Sequence, residues 1–148
     1  MTEVPPVTGG CMCGAIRYEA KGPPRDVAFC HCNSCRKHTG APVTAYVAFD
    51  RERVEFTRGD RKLYESSPGV YRAFCGECGT SLTWEAPSSS IPGRYTLELH
   101  ICTLDDPDAF VPESHVFHGE RISWFDVHDT LPRYKTEEEE PYIHGPVV

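Results

Sequence analysis

Eight cysteines stand in a chain of 148 residues, and all but one fall into three short clusters. Cys11-Met12-Cys13-Gly14 is the first, Cys30-His31-Cys32-Asn33-Ser34-Cys35 the second, and Cys75-Gly76-Glu77-Cys78-Gly79 the third, with Cys102 alone. The third cluster has the outline of a zinc knuckle: two residues between the cysteines let both sulfurs reach one tetrahedral ion. Its glycines, Gly76 and Gly79, permit the tight turn that aims backbone N–H groups at sulfur. A knuckle needs two further ligands, and Cys11 and Cys13 offer them. Cys11, Cys13, Cys75 and Cys78 would close a four-thiolate zinc site, structural because no position is left open. Such a site would tie the N-terminal strand to the middle of the chain.

The second cluster brings Cys30 and Cys32 to one side of an extended segment, and Cys35 follows after a CxxC step. Three protein ligands with a fourth position open is the arrangement of a catalytic zinc. Spacing fits equally well with a second structural zinc completed by His31, Cys102 or a distant histidine. Three thiolates leave Zn²⁺ formally at −1, a poorer Lewis acid than a zinc held by neutral imidazoles. Such a centre is less suited to making hydroxide, yet it still holds an incoming thiol as thiolate. That thiolate is a nucleophile toward a small carbonyl and the leaving group when a carbon–sulfur bond breaks.

Arg36 and Lys37 directly follow the last ligand of this cluster and are candidates to attract an anionic thiol. The alternative is local charge balance for the sulfurs. Asn33 and Ser34 lie inside the ligand loop, where they can hydrogen-bond sulfur. His31, His100, His115 and His118 are candidates for moving a proton to a developing hydroxymethyl oxygen. Trp84 and Trp124 read as core or pocket wall, and Cys102, in an apolar stretch, reads as a buried core thiol.

These groups need a scaffold, and Gly and Pro punctuate the chain into short apolar stretches, a β-rich pattern. Residues 15–20, 43–49 and 95–101 alternate as strands do, and 53–56, 62–64, 70–74 and 81–84 are shorter candidates. Helical candidates are short, around Cys32–His38 and Asp105–Phe110. Pro87–Gly93 has the composition of a hairpin loop. The expected fold is mainly β, stapled by metal. It is one domain over 1–148, with a core of about 8–135 and an acidic tail at 136–148 to which no function is assigned. The formal net charge of −7 argues against a nucleic-acid partner, since phosphate binding needs a basic face. No apolar run is long enough for a membrane span. The start has neither a basic segment nor an apolar h-region, so a cytoplasmic location with reduced thiols is expected.

Three segments resemble the glutathione-dependent formaldehyde-activating enzyme family, which includes centromere protein V: Gly9–Tyr18, Cys30–Lys37 and Phe74–Leu82. Pro112–Phe117 and Ser123-Trp124 match its later pattern, with Ser123 where the family often has Pro. The resemblance spans roughly 8 to 135. It implies a zinc-stapled β-tent fold of small antiparallel sheets. It also implies two zinc ions, a structural one at Cys11, Cys13, Cys75 and Cys78 and a catalytic one at Cys30, Cys32 and Cys35. The implied activity is that of a carbon–sulfur lyase, joining glutathione and formaldehyde into S-hydroxymethylglutathione or reversing that step. The scaffold is fixed by family membership better than the substrate is. The competing expectation is a non-catalytic zinc module that binds a protein partner on the same fold.

Overall fold

The structure is a computed structural model and describes residues 5–88, 91–137 and 141–144. In chain order the strands are β1 (Val7–Gly10), β2 (Arg17–Ala20), β3 (Asp26–Cys30), β4 (Thr44–Asp50), β5 (Val54–Arg58), β6 (Lys62–Ser67), β7 (Val70–Phe74), β8 (Ser81–Pro87), β9 (Tyr95–His100), β10 (Ser114–Val116), β11 (Pro132–Tyr134) and β12 (Pro141–His144). Among the described residues α1 (Asn33–Thr39) is the α-helix, with short 3₁₀ turns elsewhere. The protein is therefore mainly β, as expected. The second helical candidate is only a 3₁₀ turn, Pro107–Ala109, opened by the side chain of Asp106. No helix is long and apolar enough to cross a membrane among the described residues. The acidic tail expected at 136–148 lies mostly outside them.

Residue contacts group the chain into two compact units, Met1–Asp26 with Val47–Phe110, and Val27–Tyr46 with Val111–Val148. In the first unit β1, β2 and β5 form an antiparallel sheet. Strands β6, β7, β8 and β9 form an antiparallel meander. The period of two is visible in β9, where Leu97 and Leu99 are fully buried and Thr96 and Glu98 are not. Tyr18, Phe49, Leu82, Leu97 and Leu99 are the largest apolar side chains of this core. Glu85 is buried in β8, held by Arg61 at 2.7 and 2.9 Å and by the Thr83 hydroxyl at 2.8 Å. Strand β6 is exposed along its length, and Lys62 and Glu65 put charge on this edge, which discourages pairing with another chain. The Pro87–Gly93 segment joins β8 to β9 as a hairpin loop, residues 89 and 90 lying outside the description.

The second unit departs from the expected antiparallel pairing. Its β10 pairs in parallel with β3 on one side and with β11 on the other, and β12 closes the row antiparallel to β11. Parallel pairs require the chain to leave and return, and here residues 31 to 113 separate β3 from β10. The register sets His115 opposite Phe29 and Arg133.

Candidate metal centres and the adjoining cleft

In the first unit one thiol ligand atom from each of Cys11, Cys13, Cys75 and Cys78 lies within 4.8 Å of the others. Cys11 Sγ is 3.6 Å from Cys13 Sγ, which is 3.9 Å from Cys75 Sγ. Around a tetrahedral zinc with ~2.3 Å Zn–S bonds, neighbouring sulfurs stand about 3.8 Å apart, so the donor set fits that ion. Two turns, each closed by a glycine, build the site. Gly14 and Gly79 follow the second cysteine of each pair with φ of 79° and 78°, and their N–H groups donate to the Cys11 and Cys75 carbonyls. The left-handed turn favours glycine. The Cys11 sulfur accepts from the Ile16 N–H, and the Cys75 sulfur from those of Glu77 and Cys78. The register of β7 against β8 shifts between Ala73 and Phe74, ending regular pairing just before Cys75. The Thr80 hydroxyl, 3.2 Å from the Cys78 sulfur, is the largest cause drawing that thiol down to about 5. Cys13, despite its Ala15 backbone hydrogen bond, is pushed up to about 11 by the Cys11 sulfur, so without a cation the four sulfurs do not ionise alike.

In the second unit Cys30 ends β3, Cys32 caps α1 and Cys35 sits in the first turn of α1, their sulfurs within 4.8 Å of one another. Cys30 Sγ is 3.5 Å from Cys35 Sγ, and the Cys35 N–H donates to the Cys32 sulfur at 3.1 Å. This set also fits zinc. The sulfurs of Cys32 and Cys35, followed by burial, push the Cys30 thiol strongly up: three crowded sulfurs cannot all ionise without a cation among them. No fourth Cys, His, Asp or Glu joins this group among the described residues. His31 turns its ring to His115, with Nε2 and Nδ1 2.8 Å apart. Cys102 is an exposed thiol in the 3₁₀ turn Ile101–Thr103, which corrects the expectation of a core residue. The strand ends at His100, and the turn carries Cys102 out to a cleft beside Cys11, Met12 and Thr80.

The two basic residues after Cys35 differ. The Arg36 guanidinium is tied to the chain, donating to the His31 carbonyl at 3.2 Å and the Glu120 carbonyl at 2.9 Å. Lys37 is exposed. Both line a cleft of about 430 Å³ that Asn33, Pro42, Ile122 and Trp124 help to form, within the size range of small-molecule sites. Trp124, 70% exposed, is pocket wall rather than core.

The histidines are a cluster that sequence reasoning named singly and did not assemble. His31, His115 and His118 are all fully buried in the second unit, with ring centroids 4.9 to 5.8 Å apart. His115 Nε2 lies 2.9 Å from Asp129 and His118 Nε2 3.0 Å from Asp126. The fully buried Arg133 guanidinium pairs with Asp129 at 3.0 Å and stands 3.5 Å from Asp126. Burial holds all three imidazoles below their usual range, His31 at about 3. The carboxyls of Asp126 and Asp129 are held down by His118, His115 and Arg133 although burial opposes it. Phe117, between His115 and His118, has a φ of 53°, a conformation that costs a non-glycine residue about 1–2 kcal/mol. His100 is buried in the first unit and is no part of this cluster.

A mainly β chain thus carries one four-cysteine and one three-cysteine cluster, each able to hold a metal ion. The family profile described as glutathione-dependent formaldehyde-activating enzyme matches residues 6–120, and the chain belongs to that family. It is 27% identical over 118 residues to an uncharacterized lyase of Schizosaccharomyces pombe, covering 72% of this chain and 85% of the yeast protein. Its fold matches the crystal structure of a Rhodobacter sphaeroides protein at a TM-score of 0.54 and 24% identity, covering 71% of this chain and 97% of that one.

Proposed function

We propose that this protein is a carbon–sulfur lyase that makes and breaks the adduct between a small thiol and a small carbonyl, with S-hydroxymethylglutathione as the leading candidate. Cys30, Cys32 and Cys35 are its catalytic centre, and Cys11, Cys13, Cys75 and Cys78 its structural one. The observation that carries the reading is the contrast between the two clusters. One offers four sulfurs; the other offers three, with no fourth ligand among the described residues and a cleft bordering its helix. Membership in the family and a relative named as a lyase point the same way.

Zinc, when bound by the three cysteines, would supply the positive charge that keeps a substrate thiol ionised. The chain's own contribution is positioning. Strand β3 fixes Cys30, the helix cap fixes Cys32, and Arg36 locks α1 to the His31 and Glu120 carbonyls. Lys37, free of such duty in its exposed position, draws an anionic thiol toward the cleft. Trp124 and Ile122 give the adduct an apolar wall. His115 and His118 face Asp129 and Asp126, and His31 faces His115, so the proton for the hydroxymethyl oxygen is assigned to water in the cleft.

The test is calorimetric titration of glutathione into the zinc-loaded protein, with S-methylglutathione as control. The methylated peptide keeps every group except the ionisable thiol. Binding of glutathione alone is the expected result. Equal binding of both would remove the thiol–metal step, and binding of no small thiol would put the protein-interaction module in its place.

A further inference from the structure

His31, His118 and Asp126 each bring one potential ligand atom within 4.8 Å of the others, and no cysteine shares in this group. We propose that they form a third cation site, which takes a first-row divalent ion through nitrogen and oxygen donors. Two imidazoles and a carboxylate suit zinc and its neighbours in that row.

The proton bookkeeping of the cluster leads there. Asp129 is ionised and can only accept, so His115 Nε2 carries the proton directed at it. His115 Nδ1 is then a bare lone pair and must accept from His31 Nε2, 2.8 Å away. That fixes His31 as the Nε2–H tautomer and leaves its Nδ1 as a lone pair. This nitrogen is fully buried and has no hydrogen-bond partner among the described residues. A buried acceptor without a donor is the condition a metal ion relieves. Metal-bound histidines characteristically donate their second ring N–H to an acceptor, and His31 does so to His115.

The other two ligands are already placed. His118 Nε2 and Asp126 Oδ2 are 3.0 Å apart, near the ~3.3 Å that separates two ligands at 2.0–2.1 Å from one tetrahedral ion. Arg133 stands 3.5 Å from the other oxygen, Oδ1, which also accepts from the Val127 N–H. The Arg133 guanidinium faces both carboxylates, and Arg121 donates to the His118 carbonyl at 3.2 Å, so the cations beside the cluster leave Asp126 Oδ2 to His118. Phe117 is the non-glycine residue with positive φ among the described residues, and it makes the turn between His115 and His118. Strain retained at that point is consistent with a backbone shaped to bring His118 inward.

Cobalt titration of the full chain after metal removal tests the site, because thiolates give charge-transfer absorption and imidazole–carboxylate sites do not. The expected record has ligand-field intensity still rising by one equivalent after the sulfur charge transfer has saturated. Metal analysis of the zinc-loaded protein should then find one ion per chain fewer in His118→Asn and in Asp126→Asn, with the cobalt–thiolate bands unchanged. Simultaneous saturation of both signals in the wild type overturns the proposal, and so does an equal metal count in a folded variant. Should either variant fail to fold, the wild-type titration alone decides. A histidine cluster holding only water or an extra proton gives no third equivalent.

Discussion

Replacing Asp129 by Asn should destabilise the second unit by an amount set by one buried guanidinium. Asp129 accepts from His115 Nε2 at 2.9 and 3.2 Å, from Arg133 at 3.0 Å and from the Leu131 N–H at 3.0 Å. Its side chain is 22% exposed and that of Arg133 0%. Without the charge, Arg133 keeps its bonds to the Val127 and Leu131 carbonyls, and its remaining carboxylate is Asp126 at 3.5 Å. Breaking a buried ion pair from one side costs about 3–5 kcal/mol. The partial exposure of Asp129 and the carbonyl that Asn retains place this case at the lower end, about 3 kcal/mol. With a urea slope of about 2 kcal/mol/M, the unfolding midpoint should fall by roughly 1.5 M. Circular dichroism reports the transition. The same change should loosen the Cys30–Cys35 centre, because His115 no longer holds the ring of His31. A midpoint shift below roughly 0.3 M, the size expected for an exposed pair, would refute the reasoning. It would mean that Asp126 alone satisfies Arg133.

The two cysteine centres should respond differently to loss of a ligand. Cys75→Ser, at a residue 1% exposed, should lose one ion per chain and several kcal/mol of stability, read by metal analysis and calorimetry. Cys32→Ser should keep its circular dichroism and lose thiol-dependent activity; an unchanged rate would exclude this centre as the catalyst. Arg36→Ala removes two hydrogen bonds to carbonyls and should lower stability by about 1–3 kcal/mol. Lys37→Ala should leave the melting temperature alone and raise KM for an anionic thiol several-fold, a difference that shrinks in high salt. Asp105, bonded to Arg17 and Thr8, is held at about 2 against an ordinary 3.8, Arg17 being the larger cause. A depressed carboxyl stabilises the fold above 3.8 and ceases to do so as pH falls toward 2. Asp105→Asn should therefore flatten the acid arm of urea midpoints measured between pH 5 and 2. The half-exposed side chain keeps the effect under about 1 kcal/mol.

The cysteine clusters were legible because each is a local turn, written in adjacent residues such as Cys78-Gly79; that Cys11 and Cys13 meet Cys75 and Cys78 was read from ligand number, since the contact spans 62 residues. Apart from β1, the strands of the first unit were legible for a similar reason: β2 buries every second residue, and β9 alternates over residues 96–99. Strands β3 and β10 were not. Asp26–Cys30 buries Val27, Ala28 and Cys30 without strict alternation, and Ser114–Val116 is three residues long, buried throughout. Their parallel pairing is set by contacts across more than eighty residues, which no window of sequence contains. The histidine cluster depends on that pairing, because His31 follows β3 and His115 lies in β10. The available local signal was the i, i+3 spacing of His115 and His118 ahead of two aspartates. The pairing also explains why one short segment serves two purposes. Cys30 turns its sulfur to Cys35, and the next residue, His31, turns its ring to His115, as alternation in an extended chain requires. The cysteine centre and the histidine cluster thus share a backbone, clamped by the bond from the His31 N–H to the Val116 carbonyl. Whatever holds His115 must also hold His31 and with it Cys30 and Cys32, so Asp129→Asn should be read in the cobalt–thiolate spectrum as well as in stability.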